Sequence, residues 1–226
     1  MIKPPPTENL SETVRCAMEQ SFLDGTFLPG QVFDERSLAE KYAVSRTPVR
    51  EAILRLVTQG LLQVMPRAGV LVPKLSIKEL LSLLEMLAEL EGACAKFAAK
   101  RMDSSERLAL KEAFLACEAA AHAGDSAAYK KANAQFHEVI YAASRNDWAK
   151  TQIRALRLRC ASYQRSRFDL PGRLEQSLQE HREVLLRIEA GDCEGARQAM
   201  IAHISVGGRD FAEFVSSLPS EFIGQE

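Results

Sequence analysis

Hydrophobic residues at helical spacing predict two helices in the first part of the chain. The first covers residues 8–23, where apolar side chains recur every three or four positions until Asp24-Gly25 interrupts the pattern. Asp34 is a good N-cap residue for a short second helix, which ends near Tyr42. Both segments have the length expected in a small helical domain.

A third helix is predicted over residues 45–60. Ser45 or Thr47 can serve as its N-cap, and either choice places Pro48 in the first turn, where its missing N–H loses no helical partner. Gly60 is expected directly after the C-terminus of this helix. The apolar side chains that would bury its inner face are Val49, Ile53 and Leu56.

After Gly60 the pattern changes from helical to extended. Residues 61–64 and 70–72 are apolar runs of strand length, and the segment from Pro66 to Gly69 has the Pro and Gly of a loop that joins two strands. Three helices followed by a two-stranded wing predict a winged helix-turn-helix, whose third helix enters the major groove of DNA. This DNA-binding domain is predicted to cover residues 1–74.

Charge supports DNA binding locally rather than over the whole chain. The 226 residues include 29 basic and 30 acidic side chains, so the formal net charge of −1 gives no sign of nucleic-acid binding. Residues 45–74, in contrast, contain five basic residues and one acidic residue. Arg46 and Arg50 share the outer face of the third helix, where a bidentate arginine can read guanine. The alternative is that these arginines only form the solvated face of a surface helix.

From residue 75 onward the pattern predicts helices only. Ser76-Ile77-Lys78-Glu79 is a capping-box sequence before a long apolar-periodic helix, and Asp103-Ser104-Ser105-Glu106 has the same pattern before the next one. Short connections predict a mostly α, antiparallel bundle over residues 75–226. The predicted helices cover approximately residues 77–101, 103–124, 125–144, 148–167, 174–189 and 192–217.

Three of the four histidines are predicted to face the interior of this bundle. His137, His181 and His203 each share a helical face with apolar residues, whereas His122 lies near a helix end and is expected to be exposed. A single buried histidine is more often hydrogen-bonded in a core than bound to a metal. Three of them, with the Asn133 amide four residues before His137, predict a site for Zn²⁺, Ni²⁺ or a similar divalent ion.

Cysteine usage and hydropathy favour a cytoplasmic protein. The five cysteines are scattered and form no Cys-x-x-Cys pair, which argues against a disulfide framework and fits a reducing compartment. The N-terminus has no apolar signal core, and the longest apolar run, residues 80–90, is interrupted by Glu85 and Glu89. We therefore expect no membrane segment.

The first domain resembles the DNA-binding domain of the GntR family of bacterial transcriptional regulators. The segments that carry the resemblance, in the family's order and spacing, are residues 23–30, 37–40 and 59–62, and Val44-Ser45-Arg46-Thr47-Pro48-Val49-Arg50-Glu51-Ala52. The resemblance implies operator contacts at seven positions, while Arg55, one turn beyond, is expected to be structural or solvated. The seven positions are Arg36, Ser45, Arg46, Thr47, Arg50, Arg67 and Gly69.

The second domain resembles the FCD-type effector domain of FadR-like regulators. The motifs that carry this resemblance are Asn133-Ala134-Gln135-Phe136-His137-Glu138-Val139-Ile140, Glu180-His181, Ala190-Gly191-Asp192 and Met200-Ile201-Ala202-His203. It implies that Asn133, His137, His181 and His203 hold the metal, with Asn133 in place of the aspartate of many members. An amide oxygen is a weaker ligand than a carboxylate, so the affinity for metal is expected to be lower.

A second departure from the family pattern is Leu87. Many acid-binding members carry an arginine at this position of the first effector helix, and this chain has therefore lost one anchor for an anionic effector. Arg154, Arg157 and Arg165 are the candidates to replace it. The expected effector is a small molecule, such as an organic acid, bound over the metal.

Together the patterns predict a homodimeric transcriptional regulator that binds double-stranded operator DNA. Repression is the commoner outcome in the family that it resembles, so we expect a repressor. Effector binding would change the relative placement of the two DNA-binding heads, so effector and operator would oppose each other. A close alternative makes the metal itself the signal or leaves the site without metal. A remote alternative is a metal-dependent hydrolase, which lacks an evident general base and leaves the first 74 residues unexplained.

Overall fold

The first part of the chain folds into helices and a small sheet. The computed structural model describes residues 10–164, 167–205, 214–216 and 218–224 of the chain. The elements of this part are helices α1 (Leu10–Leu23), α2 (Glu35–Lys41) and α3 (Arg46–Thr58), and strands β1 (Val32–Phe33), β2 (Gln63–Met65) and β3 (Gly69–Leu71). The three predicted helices and the mostly α, winged helix-turn-helix class are confirmed.

Capping residues fix where α2 and α3 begin. Asp34 accepts a hydrogen bond from the backbone N–H of Ser37 at 2.8 Å, so it is the N-cap of α2. Ser45 precedes α3 with extended backbone and is its N-cap, although its side chain makes no cap hydrogen bond. The choice between Ser45 and Thr47 is thereby settled, and Pro48 lies in the first turn of α3.

The wing belongs to a three-stranded sheet instead of the predicted two-stranded one. β3 lies between β1 and β2 and is antiparallel to both. Val32 pairs with Leu71, and Met65 pairs with Gly69. β1 has only two residues, so it has no side-chain alternation that a sequence pattern could reveal. The predicted wing was therefore incomplete by one short strand.

The helices and the sheet enclose an apolar core. Phe27, Leu38, Val49 and Leu56 are each at most 1% exposed, and Ile53 is 2% exposed. This confirms the inner face predicted for α3. Burial of such side chains is the main term that stabilises a domain of this size, because each removes a large apolar surface from water.

The remaining described elements are helical, apart from an isolated parallel bridge between Leu75 and Ile223. Both predicted capping boxes are present, with Ser76 and Glu79 before the first of these helices and Asp103 and Glu106 before the second. The helices are α4 (Ile77–Arg101), α5 (Ser104–His122), α6 (Ser126–Ala143), α7 (Asp147–Gln164), α8 (Arg173–Glu189) and α9 (Cys193–Ile204). No helix in the described ranges combines the length and the hydropathy needed to cross a bilayer.

The last predicted helix ends earlier than expected. α9 stops at Ile204, because the backbone of Ser205 is extended with ψ 136°. The prediction of one helix up to Ser217 was therefore wrong, although Phe214–Ser216 are again helical. Residues 206–213 and Ser217 lie outside the described residues. The sequence carried a signal for this stop, since two consecutive glycines at 207–208 disfavour a helix.

The chain divides into two compact units. The first comprises residues 1–80, 158–165 and 218–226, and the second comprises residues 81–157 and 166–217. The last two turns of α7 thus belong to the first unit. There Leu158 joins the apolar core, and the Ser162 hydroxyl donates to the Phe27 carbonyl at 3.0 Å. The domain boundary after Lys74 stays a prediction.

Candidate functional site

The residues expected to contact DNA lie at the surface. Six of the seven are exposed, and Gly69 is half-buried. Arg36, Ser45 and Arg46 line one shallow, open depression at the turn between α2 and α3. Because the Ser45 hydroxyl has no capping role, it is available to an acceptor or donor outside the protein.

Arg50 is held by an acidic residue of the preceding helix. Its Nε donates to Oε1 of Glu35 at 3.1 Å, and its Nη2 donates to Oε2 at 2.8 Å. These hydrogen bonds hold the pKa of Glu35 below its ordinary value. The bidentate contact fixes the plane of the guanidinium and leaves Nη1 for a further acceptor.

Two other arginines of this domain are paired within it. Arg36 donates from Nε to Glu40 on the same helix at 2.9 Å. Arg55 donates from Nη1 to Glu12 at 2.8 Å and so connects α3 with α1. Arg55 is therefore paired within its own domain while about half of its side chain stays exposed, so it has features of both expected roles. Glu12 also accepts from Arg15, whose hydrogen bond lowers the pKa of Glu12 to about 2.

The tip of the wing has an unusual backbone. Arg67 has φ +65°, in the left-handed region, and Gly69 has φ +107°. A Cβ atom at Gly69 would lie 2.2 Å from the carbonyl oxygen of Phe33 on β1, so only glycine fits there. Gly69 is thus required by the close approach of two strands, whatever it contacts outside the protein.

The second unit contains a buried cluster of three histidines. His137, His181 and His203, on α6, α8 and α9, are 2%, 0% and 5% exposed, whereas His122 is exposed as expected. One ring nitrogen from each of the three lies within 4.8 Å of the others. The Nε2 atoms of His137 and His203 are 3.2 Å apart. The sequence therefore located a true cluster.

A carboxylate stands behind two of the three imidazole rings. Oε2 of Glu91 lies 2.9 Å from Nδ1 of His137, and Oε2 of Glu180 lies 2.7 Å from Nδ1 of His203. In a neutral imidazole an Nδ1–H facing a carboxylate leaves the Nε2 lone pair free. Such carboxylate–imidazole pairs are the usual outer shell of metal-binding histidines.

Each of these carboxylates is also bound by an arginine. Arg157 donates to Glu91 from Nε at 2.9 Å, and Arg173 donates to Glu180 from Nη1 at 2.9 Å and from Nη2 at 3.0 Å. Burial alone would raise the pKa of Glu91, but the charge of Arg157 and the contact with His137 outweigh it, and the pKa lies well below its ordinary value. Burial also raises the pKa of Glu180, but the hydrogen bonds and charges of His203 and Arg173 outweigh it and lower this pKa to about 2. Both carboxylates are therefore ionised.

Burial lowers the pKa of every histidine in the cluster. The pKa of His137 falls to about 4, and the pKa of His181 lies well below its ordinary value because neighbouring imidazoles add to the effect of burial. The pKa of His203 is also lowered by burial, although Glu180 opposes the change. At neutral pH all three rings are neutral, which is the form that can donate a lone pair to a metal ion.

The structure also shows the surroundings of Asn133, Leu87 and two of the three arginines that the sequence singled out. The Oδ1 atom of Asn133 is buried and has no hydrogen-bond partner among the described residues. Leu87 is 1% exposed. Arg157 reaches the buried centre but is bound to Glu91, Arg154 is exposed, and Arg165 lies outside the described residues.

Glu91 is the residue that sequence reasoning missed. It is fully buried on α4, in a row with the apolar residues Leu84, Leu87 and Ala95. An acidic residue in an otherwise apolar helical face was a signal, because a charge is buried only when it is paired. Glu138, which adjoins His137 in sequence, is instead exposed and pairs with Lys150.

A winged helix-turn-helix followed by a separate all-helical domain defines a class of DNA-binding transcriptional regulators. The chain belongs to the GntR family of bacterial regulators and carries an FCD domain. The family model described as bacterial regulatory proteins, gntR family, matches residues 10–72, and the FCD domain model matches residues 82–206. The resemblances to the GntR family and to an FCD-type domain are thereby confirmed, and the hydrolase alternative is wrong.

Relatives cover most of the chain. It is 26% identical over 189 residues to an uncharacterized HTH-type transcriptional regulator, YdhC, of Bacillus subtilis (strain 168), a match to 83% of this chain and 84% of the relative. A probable D-xylose utilization operon transcriptional repressor of Paenarthrobacter nicotinovorans is 26% identical over 201 residues, or 87% and 86% of the two chains. Among solved structures, E. coli McbR/YncC has the same fold, with a TM-score of 0.79 and 24% identity over 96% of this chain and 99% of that one.

Proposed function

We propose that this regulator is a metal-containing repressor, in which the histidine cluster holds a divalent ion and an effector bound over it controls operator binding. The observation that supports the metal is the convergence of three buried, neutral imidazoles whose ligand nitrogens lie within 4.8 Å of one another. Zn²⁺ and Ni²⁺ suit such a nitrogen-rich set.

The residues present fit a metal ion. His137, His181 and His203 would supply three nitrogens, and Asn133 would supply the buried Oδ1 atom that lacks a partner in the described chain. An unpartnered buried oxygen is costly, and a cation would satisfy it. Glu91 and Glu180 would hold two of the rings by their Nδ1 atoms.

The bound ion would supply a Lewis-acid anchor for an oxygen atom of an anionic effector. Leu87 contributes no charge, and Arg157 is already neutralised by Glu91. The pocket would therefore bind an organic acid chiefly through the ion. Neither of these two positions offers an arginine that could bind the acid group with two parallel hydrogen bonds.

Operator binding is assigned to the exposed residues of the first domain. Arg46 and Arg50 would read base edges in the major groove, and Arg36, Ser45 and Thr47 would contact phosphates or bases. Arg67, with the backbone at Gly69, would meet the adjacent DNA backbone. We propose a homodimer, since two half-sites give a regulator of this kind its specificity, and a cytoplasmic place of action, where operator DNA is accessible. Repression is supported by the D-xylose repressor relative.

The metal is tested by elemental analysis of the purified full chain. His181→Ala combined with His203→Ala should reduce the bound divalent metal from about one ion per chain to none, because two of the four ligands are lost. His122→Ala is the matched control and should leave the stoichiometry unchanged. Unchanged metal in the double variant would contradict the proposal.

A metal-free regulator of the same fold is the second candidate. It is favoured by the 3.2 Å distance between Nε2 of His137 and Nε2 of His203, which fits a direct hydrogen bond if one of these two atoms carries a proton instead of the free lone pair that a metal ion needs. Wild-type protein that binds its effector after chelation as well as before would support this candidate.

A further inference from the structure

Two rows of polar side chains extend from the histidine cluster along the buried faces of two helices. One row is on α6 and the other is on α8, and each repeats at every fourth residue, so its members lie on one helical face. The rows are Tyr129, Asn133 and His137 on α6, and Arg173, Ser177 and His181 on α8. A buried face of this length is normally apolar, and two polar rows are therefore unexpected in a core.

The rows are matched along their length. At one end His137 and His181 meet with their ring centroids 5.5 Å apart. At the other end the hydroxyls of Tyr129 and Ser177 adjoin each other, and the Tyr129 ring lies parallel to the His181 ring at 6.2 Å. Tyr129 and Ser177 are fully buried, and Arg173 is 7% exposed. The polar rows thus continue inside the protein beyond the histidines.

Several polar atoms of these rows have no well-formed hydrogen bond in the described part of the chain. Apart from His137 Nδ1, which lies against Glu91, they are the Tyr129 hydroxyl, Asn133 Oδ1, Arg173 Nε, the Ser177 hydroxyl and both ring nitrogens of His181. A buried polar atom without a partner destabilises the fold, and folded proteins contain few of them. So many in matched rows indicate a site prepared for a bound molecule.

The charge of this end of the site determines what it can bind. Nη1 and Nη2 of Arg173 are both used by Glu180, so that the guanidinium is neutralised and only Nε remains as a donor. A second carboxylate placed here would lie beside the carboxylate of Glu180, which already occupies both Nη1 and Nη2 of Arg173. One N–H and two hydroxyls suit an uncharged oxygen, such as a hydroxyl or a carbonyl.

We propose that Tyr129, Arg173 and Ser177 form a second subsite of the effector pocket, which binds an uncharged oxygen of the ligand. This inference rests on the proposed function, in which the acid group of the same ligand binds over the metal. Ser177 lies one helical step of four residues before His181, a rise of about 6 Å. The effector class is therefore a hydroxylated or oxo acid of roughly four to six carbons, whose distant oxygen reaches this subsite.

Paired acids test the subsite on the metal-loaded full chain. Thermal shifts are measured with three pairs of acids of equal chain length. The pairs are threonate with butanoate, gluconate with hexanoate, and 4-oxopentanoate with pentanoate. We expect at least one hydroxylated or oxo acid to stabilise the wild type more than its partner does. The double variant Tyr129→Phe with Ser177→Ala should bind that substituted acid about tenfold more weakly or worse. It should also show the same thermal shift with both acids of the pair.

A measurement without ligand separates a binding role from a structural one. Removing two buried hydroxyls that make no well-formed hydrogen bond in the described chain should leave the melting temperature of the ligand-free protein unchanged or raise it. Ser144→Ala is the matched control, because its buried hydroxyl donates to the Tyr141 carbonyl at 2.7 Å, and its loss should lower the melting temperature by a few degrees. A double variant that melts well below the wild type would assign the hydroxyls to structure and overturn the subsite.

The subsite can fail independently of the metal. If no substituted acid stabilises the wild type more than its unsubstituted partner, or if the double variant retains the difference, the subsite is overturned. Metal content is measured in the same samples, so metal-free wild-type protein would instead refute the proposed metal centre. A crystal structure of the acid complex with only water between Tyr129 and Arg173 would also overturn the subsite.

Discussion

Arg50 of α3 donates to both carboxylate oxygens of Glu35 on α2. The guanidinium that we propose to read the operator is therefore oriented by its own domain. Both side chains remain accessible, with 65% of Arg50 and 32% of Glu35 exposed, so DNA can approach the pair without unfolding anything. An arginine with a fixed plane loses less rotamer freedom when it meets a base edge.

Replacement of Arg50 tests its role in reading DNA. Arg50→Ala should weaken binding to a duplex selected by the wild type from a random pool by roughly 10- to 100-fold, with a smaller effect on a scrambled duplex. Fluorescence anisotropy at fixed salt measures both. Arg55→Ala removes the same charge from the same helix and is the control. Equal losses on the two duplexes would show that Arg50 contributes charge alone.

Replacement of Glu35 tests the orientation of Arg50. Glu35→Gln and Glu51→Gln each remove one negative charge near the DNA-binding surface, so both should tighten binding to the scrambled duplex by a similar factor. Only Glu35→Gln should also lower the ratio of specific to non-specific affinity, by about threefold or more, because Arg50 loses its bidentate partner. Identical ratios in the two variants would refute an orienting role for Glu35.

The wing separates a charge effect from a backbone effect. Arg67→Asn should keep the fold, since asparagine tolerates the left-handed conformation, while the salt dependence of DNA binding falls by about one ion. Gly69→Ala should destabilise the DNA-binding domain by roughly 1–3 kcal/mol, because its Cβ would collide with the Phe33 carbonyl. Chemical denaturation measures the second effect. A stable Gly69→Ala domain would contradict the strand contact.

Most elements could be predicted from local sequence, whereas features that depend on long-range contacts could not. Asp34 and Asp103 cap their helices as predicted, because a cap depends only on the next few residues. β1 escaped prediction because it has two residues and exists only through pairing with β3. The contact of Glu91 with His137 joins α4 to α6, and no spacing rule connects positions so far apart in sequence.

The same limit applied within the candidate site. Periodicity placed His137, His181 and His203 inside the bundle, since each apolar face was continuous in sequence. Periodicity could not show that their nitrogens converge within 4.8 Å, because that depends on how three helices pack. Nor could it show that Arg157 is occupied by Glu91, which decides how an acid would be held.

The departure at Asn133 predicts a gain of metal affinity. Asn133→Asp should tighten binding of the divalent ion by about tenfold, a change of roughly 1.4 kcal/mol, because a carboxylate is a stronger ligand than an amide. Gln135→Glu adds the same charge on an exposed face of α6 and should change the affinity little. Competition with a chelator of known affinity measures both. Weaker binding in Asn133→Asp would exclude Asn133 as a ligand.

The histidine cluster predicts that the metal-free protein loses stability in mild acid. The unfolded chain should protonate each of the three histidines near the ordinary pKa of 6.5, whereas the folded chain keeps His137 neutral down to about 4 and also resists protonation of His181 and His203. Because the unfolded state binds more protons in this window, the stability present at neutral pH decreases as the pH falls below 6.5. Each histidine contributes a slope of at most about 1.4 kcal/mol per pH unit. Urea unfolding at several pH values measures the slope, which His181→Gln should reduce and the exposed His122→Gln should not; equal slopes in wild type and His181→Gln would refute the shift at His181.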